Sequence, residues 1–207
     1  FMHDFHLFNN LDKNGVLDYE QLSLEYIPKF LTSKNSSILY KIFKNSIQWK
    51  YDSFKIMGNN FKVNRKVALY GNENIYYKYS GSKKIALPWT KNLSIIKDKV
   101  EKISDNKFNS VLLNDYNDGD VYMGWHSDDE KELGTNPTIA SLSLGSPRDF
   151  LFKHKFDKTK KKIKINLSSG SLLIMKGRTQ HLWNHCLPKR RLIFEGRINL
   201  TFRNIIN

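Results

Sequence analysis

From residue 108 to the C-terminus the chain is written as short apolar or alternating stretches closed by turn residues, and this spacing limits the fold more than any other feature. The stretches are Phe108–Leu113, Thr138–Leu144, Phe150–His154, Ile163–Leu167, Ser171–Met175, Leu192–Glu195 and Ile198–Phe202. Many short strands closing around a pocket predict a jelly-roll-like barrel rather than a parallel α/β sheet. Upstream the period changes. Leu39, Ile42, Phe43 and Ile47 recur at helical spacing behind a candidate cap at Ser36 or Ser37. Leu93, Ile96, Val100 and Ile103 do so behind Pro88-Trp89-Thr90. Both helices read as outer supports of an α+β domain.

The chain has 207 residues, 40% of them hydrophobic, enough for one sizeable core. No internal repeat or Pro/Gly-rich linker divides it. We expect an acidic N-terminal segment over 1–25, then 26–107, forming one domain with a strand-rich core over 108–207. Asp12-Lys13-Asn14-Gly15-Val16-Leu17-Asp18 imitates the middle of an EF-hand loop. With Gly15 at loop position 6, position 12 falls on Gln21 and lacks the bidentate Glu, so a polar turn is expected.

Charge is uneven. Residues 1–25 hold one Lys and five Asp/Glu, whereas the remaining 182 hold 33 Lys/Arg against 15 Asp/Glu, a net of +18. Such a surplus points to a polyanion partner. Seven of those 15 acids lie between Asp115 and Glu132, a knot that either neutralises lysines or surrounds a cation. Apolar runs such as Leu172–Met175 are far too short to span a bilayer, so no membrane partner is expected. The opening residues do not read as a secretion leader. A single cysteine, Cys186, excludes an internal disulfide framework and fits a reducing, intracellular setting.

His126-Ser127-Asp128 puts two ligand types at i and i+2, on one face of an extended segment. His185 supplies a second imidazole from a distant strand-like stretch. Two imidazoles and a carboxylate leave metal positions open, which suits Fe(II) oxygen chemistry. His181 competes as an i,i+4 partner of His185, but Trp183 and Pro188 argue for extended chain. Four extended residues span roughly 13 Å, too far for one ion. Near the C-terminus, Arg197-Ile198-Asn199-Leu200-Thr201-Phe202-Arg203 alternates polar with apolar. One face therefore carries two guanidinium forks suited to carboxylates.

These residues together resemble the AlkB family of Fe(II)/2-oxoglutarate nucleic-acid dealkylases. The likeness runs from about Tyr26 to Ile205, through Asn114-Asp115-Tyr116, Gly119, His126-Ser127-Asp128-Asp129-Glu130, Ser141-Leu142-Ser143-Leu144-Gly145, Arg148-Asp149-Phe150, Gly170-Ser171-Leu172-Leu173, His185-Cys186-Leu187-Pro188 and Arg197–Arg203. It implies a double-stranded β-helix with helices outside and a nucleotide-recognition lid within 26–107. It also implies that His126, Asp128 and His185 bind iron, and that Asn114, Tyr116, Arg197, Thr201 and Arg203, with Asn199 nearby, hold 2-oxoglutarate. With O2 as the other cosubstrate, the family hydroxylates an alkyl carbon on a base nitrogen and releases aldehyde, succinate and CO2.

At the substrate end, Tyr77, Lys78 and Tyr79 resemble the lid, and Asp129 and Glu130 fall where base contacts are expected. The likeness is greatest to members that repair duplex DNA, whose hairpin wedges a side chain into the vacated gap. Met57, Gly58 and Asn59, followed by Arg65, match that hairpin, with Met57 in the place of an aromatic wedge. Lys153–Lys164 and Lys189-Arg190-Arg191 correspond to backbone-gripping segments. The resemblance thus implies a monomeric enzyme acting on N1-methyladenine- and N3-methylcytosine-type lesions in DNA, nuclear in a eukaryote. The rivals are an RNA demethylase of the same chemistry and an inactive nucleic-acid binder.

Overall fold

The computed structural model describes the backbone of residues 6–7, 14–56, 59–79 and 82–206, and the side chains of 14–52, 64–77 and 84–206. Strand β1 (His6–Leu7) and a hairpin of β2 (Val16–Tyr19) and β3 (Leu22–Ile27) come first. Helix α1 (Ser33–Ser46) leads into β4 (Lys50–Ile56) and the long β5 (Asn59–Gly71). A second hairpin, β6 (Tyr76–Tyr79) and β7 (Ser82–Ile85), precedes the short β8 (Leu87–Pro88) and helix α2 (Lys91–Ser104). Then come β9 (Ser110–Tyr116), β10 (Met123–His126), β11 (Ile139–Gly145), β12 (Arg148–His154), β13 (Ile163–Leu167) and β14 (Leu172–Lys176). The one-turn α3 (Thr179–Leu182), β15 (Trp183–Leu187) and β16 (Arg197–Arg203) complete the order.

Two sheets face each other. The larger runs β2-β3-β14-β11-β16-β9-β5-β4, with β8 on β5, and the smaller β1-β13-β12-β15-β10. Every residue of β9 and β16 is buried, because each strand is covered on both faces. Ile198, Leu200 and Phe202 point outward and pack with Leu93, Ile96 and Val100 of α2 and Phe43 of α1. This is how the helices support the barrel, as expected. Burying Leu93, Ile96 and Val100 contributes about 1.5–3 kcal/mol each. On the inner side, Leu112 and Leu173 meet Phe152, Ile165 and Trp183 of the smaller sheet. The result is the jelly roll that the strand spacing predicts.

Helix starts follow local chemistry. Thr32, in extended conformation, caps α1 by accepting from the Asn35 amide at 3.2 Å. Ser36 lies inside the helix and donates back to Ser33 O, so the expected cap at Ser36 or Ser37 moves upstream. Thr90 caps α2 through the Leu93 amide at 3.3 Å.

Two expectations change. The boundary at 25/26 falls inside β3, whose ladder to β14 pairs Leu172 with Ile27 and Ile174 with Glu25, so residues 16–27 form an edge of the larger sheet. Leu192–Glu195 is not a strand. Its apolar run Leu192-Ile193-Phe194 resembles a strand, but Leu192 and Phe194 are exposed (89% and 78%). The backbone there bonds instead to Gly119, whose N–H donates to Ile193 O and whose carbonyl accepts from Arg190 N, both at 2.8 Å.

Candidate metal centre and anion pocket

β10 and β15 pair antiparallel with His126 opposite His185, so two imidazoles 59 residues apart enter the barrel side by side. Their Nε2 atoms stand 3.1 Å apart. Asp128, just past the end of β10, places Oδ1 3.9 Å from His126 Nε2. Ligand atoms from the three residues all lie within 4.8 Å of one another, the one such His/Cys/Asp/Glu group among the described residues. Two nitrogens bound at about 2.1 Å and at right angles on one ion lie roughly 3 Å apart. The spacing found is therefore the spacing a shared ion needs.

The surroundings set protonation. His126 Nδ1 donates to Gly124 O at 2.9 Å, which leaves the Nε2 lone pair facing inward. Burial and the neighbouring His126 pull His185 down to about 3, so it stays neutral. Phe150 and Phe152 flank the His185 ring at 5.1 and 6.0 Å. Burial would raise the Asp128 carboxyl, but Arg203, His185 and His126 together outweigh it and hold the group well below the usual carboxylate range. The Asp128 amide donates to Gln180 Oε1 at 3.0 Å, which fixes the backbone that carries the ligand. Gln180 escaped sequence reasoning, because nothing local marks α3 as part of the site.

Above the three ligands lies the inward face of β16. Register puts Tyr116 opposite Arg197 and Asn114 opposite Asn199, all lining one cavity with the imidazoles. Arg197 is 2% exposed and lies over the Tyr116 ring, with Nη2 on Ser143 Oγ at 2.9 Å. Burial lowers it to about 10. Arg203 Nη2 donates to Asp128 Oδ2 at 2.8 Å, and that carboxylate keeps the guanidinium above its ordinary value despite burial. Asn199 bonds Ser141 Oγ, and Thr201 bonds Asn199 Oδ1. Arg197 Nε and Arg203 Nε and Nη1 are buried with no hydrogen-bond partner. Buried donors of that kind are costly unless an acceptor arrives. An anion with two carboxylates fits, so the residues present suit both iron and 2-oxoglutarate. Ser141 and Ser143 were legible only as part of a motif; their inward alternation on β11 is the signal that finds them.

The competing histidines separate. His181 lies in the helical turn α3, not in extended chain, and its Nε2 accepts from the Asn136 amide at 3.4 Å, apart from the metal group. His154 accepts from the amides of Phe156 and Asp157.

The expected substrate residues are distributed differently. Tyr77 is fully buried, under Arg203 at 5.6 Å and beside Glu130. Burial, then Asp128, raises the Glu130 carboxyl. Asp129 is half exposed and paired with Lys155 at 2.8 Å. Arg65, expected to face a substrate, is 5% exposed; it is ion-paired with buried Asp52 and donates to Met123 Sδ. The reason is that Asp52 on β4 lies across a bulged ladder from β5, a pairing invisible in sequence. Met57 and Gly58 lie outside the described residues, as do the side chains of Asn59, Lys78 and Tyr79.

A jelly roll with a site for one ion under a pocket for a dianion defines a class, and the chain belongs to it: the model of the 2OG-Fe(II) oxygenase superfamily matches residues 23–203. Among its relatives, DNA oxidative demethylase ALKBH2 of Mus musculus is 39% identical over 158 residues, covering 73% of this chain and 66% of that protein. ALKBH2 of Arabidopsis thaliana is 33% identical over 208 aligned positions, covering 88% of this chain and 66% of that protein. Alpha-ketoglutarate-dependent dioxygenase alkB homolog 3 of Homo sapiens is 34% identical over 186 residues, covering 86% of this chain and 64% of that protein. These likenesses bear out the AlkB resemblance. The chain spans 57–66% of the length of the ALKBH2 relatives it matches. The solved structure of OsALKBH1 shares the fold at TM-score 0.64 and 19% identity, covering 90% of this chain and 100% of that one. No helix among the described residues is long and apolar enough to cross a membrane.

Proposed function

We propose that this chain is an Fe(II)/2-oxoglutarate-dependent dioxygenase that removes alkyl groups from DNA bases, releasing aldehyde, succinate and CO2. The observation that carries the reading is the convergence of His126, Asp128 and His185 beneath arginines whose donors await an anion. The relatives named as DNA oxidative demethylases support the substrate, and the +18 of residues 26–207 supports a polyanion.

In this reading His126, Asp128 and His185 hold the metal, while Arg197 and Arg203 hold the cosubstrate's carboxylates, helped by Asn114, Tyr116, Asn199 and Thr201. When bound, Fe(II) with 2-oxoglutarate and O2 supplies the oxidation of the alkyl C–H to C–OH, coupled to decarboxylation. The side chains position rather than transfer protons. Arg203 ties the dianion to the ligand set, because one guanidinium bonds Asp128 and keeps two donors for the anion. Phe150, Met175 and Leu187 keep the cavity wall apolar and restrict water. After hydroxylation the N–C–OH unit collapses to an aldehyde and the free base nitrogen.

Residues 26–107 would act as one domain with 108–207, the β4–β5 and β6–β7 hairpins forming the nucleotide-recognition lid. Met57, Gly58 and Asn59 would wedge a duplex. Lys78, Tyr79, Asp129 and Glu130 would meet the flipped base, with Tyr77 as a buried floor and Arg65 as its support. The enzyme would work as a monomer wherever DNA is kept, the nucleus in a eukaryote. The test is anaerobic loading with Fe(II), then oxygenation with 2-oxoglutarate and N1-methyladenine or N3-methylcytosine in duplex DNA, single-stranded DNA or RNA. Faster conversion of DNA supports the proposal. Faster conversion of RNA assigns RNA as substrate, and binding without any conversion assigns an inactive binder.

A further inference from the structure

The strand that carries the metal ligand His126 also carries the exposed Trp125, and the exposed Tyr122 immediately precedes it; the proposed chemistry uses neither. A register shift between Met123 and His126 breaks the alternation of β10. Met123 and His126 therefore both line the cavity, while Tyr122 and Trp125 project outward. Tyr122 is 50% exposed and Trp125 38%. Large apolar side chains gathered in one exposed patch mark an interaction surface.

Each ring has a lysine ammonium over it. Lys153 lies 4.5 Å from the Trp125 ring centre and Lys189 lies 5.0 Å from that of Tyr122. Lys153 belongs to the outer face of the smaller sheet, since its neighbours Phe150 and Phe152 turn inward onto His185. Trp125 beneath it shares that face. Three residues of extended chain separate the two aromatics by roughly 10 Å. Beyond Tyr122 the 188–196 loop adds Arg191 and the exposed Leu192 and Phe194. The outer side of β10 and of the loop beside it thus carries exposed apolar groups interleaved with cations.

Bases with π-faces next to phosphates match such a surface; a helical duplex, whose faces are spent on its own stacking, does not. We propose that Tyr122 and Trp125 form a stacking platform for unpaired nucleotides flanking the base in the site, with Lys189 and Lys153 on their phosphates. This rests on the nucleic-acid reading above and deepens it, because it gives the protein a grip on single strands that does not depend on the Met57 hairpin.

The test measures binding of a fluorescent undamaged oligothymidine and of a duplex of equal length to wild type, Tyr122→Ala, Trp125→Ala and the aromatic-preserving Tyr122→Phe and Trp125→Phe. Each alanine variant should weaken the single strand about tenfold and the duplex less than about twofold. The phenylalanine variants should recover most of the loss, and the salt slope should stay unchanged because no cation is removed. Equal losses on both nucleic acids, or single-strand binding as tight as wild type in the alanine variants, overturns the platform and leaves the dealkylase reading intact. A wild-type protein that converts 2-oxoglutarate but binds neither nucleic acid overturns both. Circular dichroism melts confirm that each variant is folded.

Discussion

His126 owes its role to a neighbour two residues back. Gly124 O accepts a hydrogen bond from Nδ1–H, so the inward nitrogen is free to bind a cation, and His185 across the ladder is kept neutral by burial and by His126 itself. Removing any of His126, Asp128 or His185 as alanine should weaken Fe(II) binding by about a hundredfold or more, a larger loss than outer-sphere changes give. His181→Ala should leave it within about twofold. Equilibrium dialysis under nitrogen reads both. Arg197→Ala and Arg203→Ala should raise the 2-oxoglutarate KM by at least about tenfold while DNA affinity moves less than about twofold, because both guanidinium groups are buried beside the metal group. Steady-state kinetics paired with anisotropy checks this. These residues were legible because chemistry fixes their spacing: an i, i+2 pair for one edge of an ion, and alternation for a polar strand face. Arg148 was legible only as part of a motif. Its guanidinium donates to the carbonyls of Asp118, Val121 and Pro188, and no sequence pattern announces backbone partners.

Elements matter where two loops or two hairpins must meet over the site. Gly119 joins the 117–122 and 188–196 loops, and a Cβ there would lie 1.8 Å from Arg190 O. Gly119→Ala should therefore lower the thermal midpoint by several degrees, as a strained substitution of about 1–3 kcal/mol would. Calorimetry reads it, and an unchanged midpoint would mean that the loops slide apart freely. Asp52 joins the β4–β5 hairpin to the β6–β7 hairpin, taking Arg65 and, at 3.0 Å, Lys84. Burial opposes its charge, but Arg65 and Lys84 together outweigh burial and hold the carboxyl below its ordinary value. Its stabilisation is thus full above the ordinary aspartate range and is lost as pH falls through the lowered value. Asp52→Asn should cost about 3 kcal/mol at pH 7 and progressively less toward pH 3, seen in urea titrations. A pH-independent cost would show that the ion pair is not the cause. Sequence alone gave no hint of this tie, since the partners are 13 residues apart across a bulge. It also misread Leu192–Glu195, where a strand-like apolar run lies in an exposed loop.

At the scale of the molecule, charge separates the ends of the chain. Two acids of the N-terminal stretch are tied to the strand-rich core: Glu20 holds Lys160 at 2.7 Å and Glu25 holds Lys176 at 2.9 Å. Part of the basic surplus is therefore neutralised internally. Replacing Lys162 with Ala should flatten the log–log salt slope of duplex binding by up to about 0.9, whereas Lys160→Ala, whose charge Glu20 already answers, should change it by less. The central claim concerns chemistry, and product stoichiometry tests it most directly. With Fe(II), 2-oxoglutarate, O2 and a DNA strand carrying N1-methyladenine, each repaired adenine should appear with one formaldehyde and one succinate, and none of the three in His185→Ala. Succinate formed without repaired base, on DNA that the protein demonstrably binds, would contradict the account.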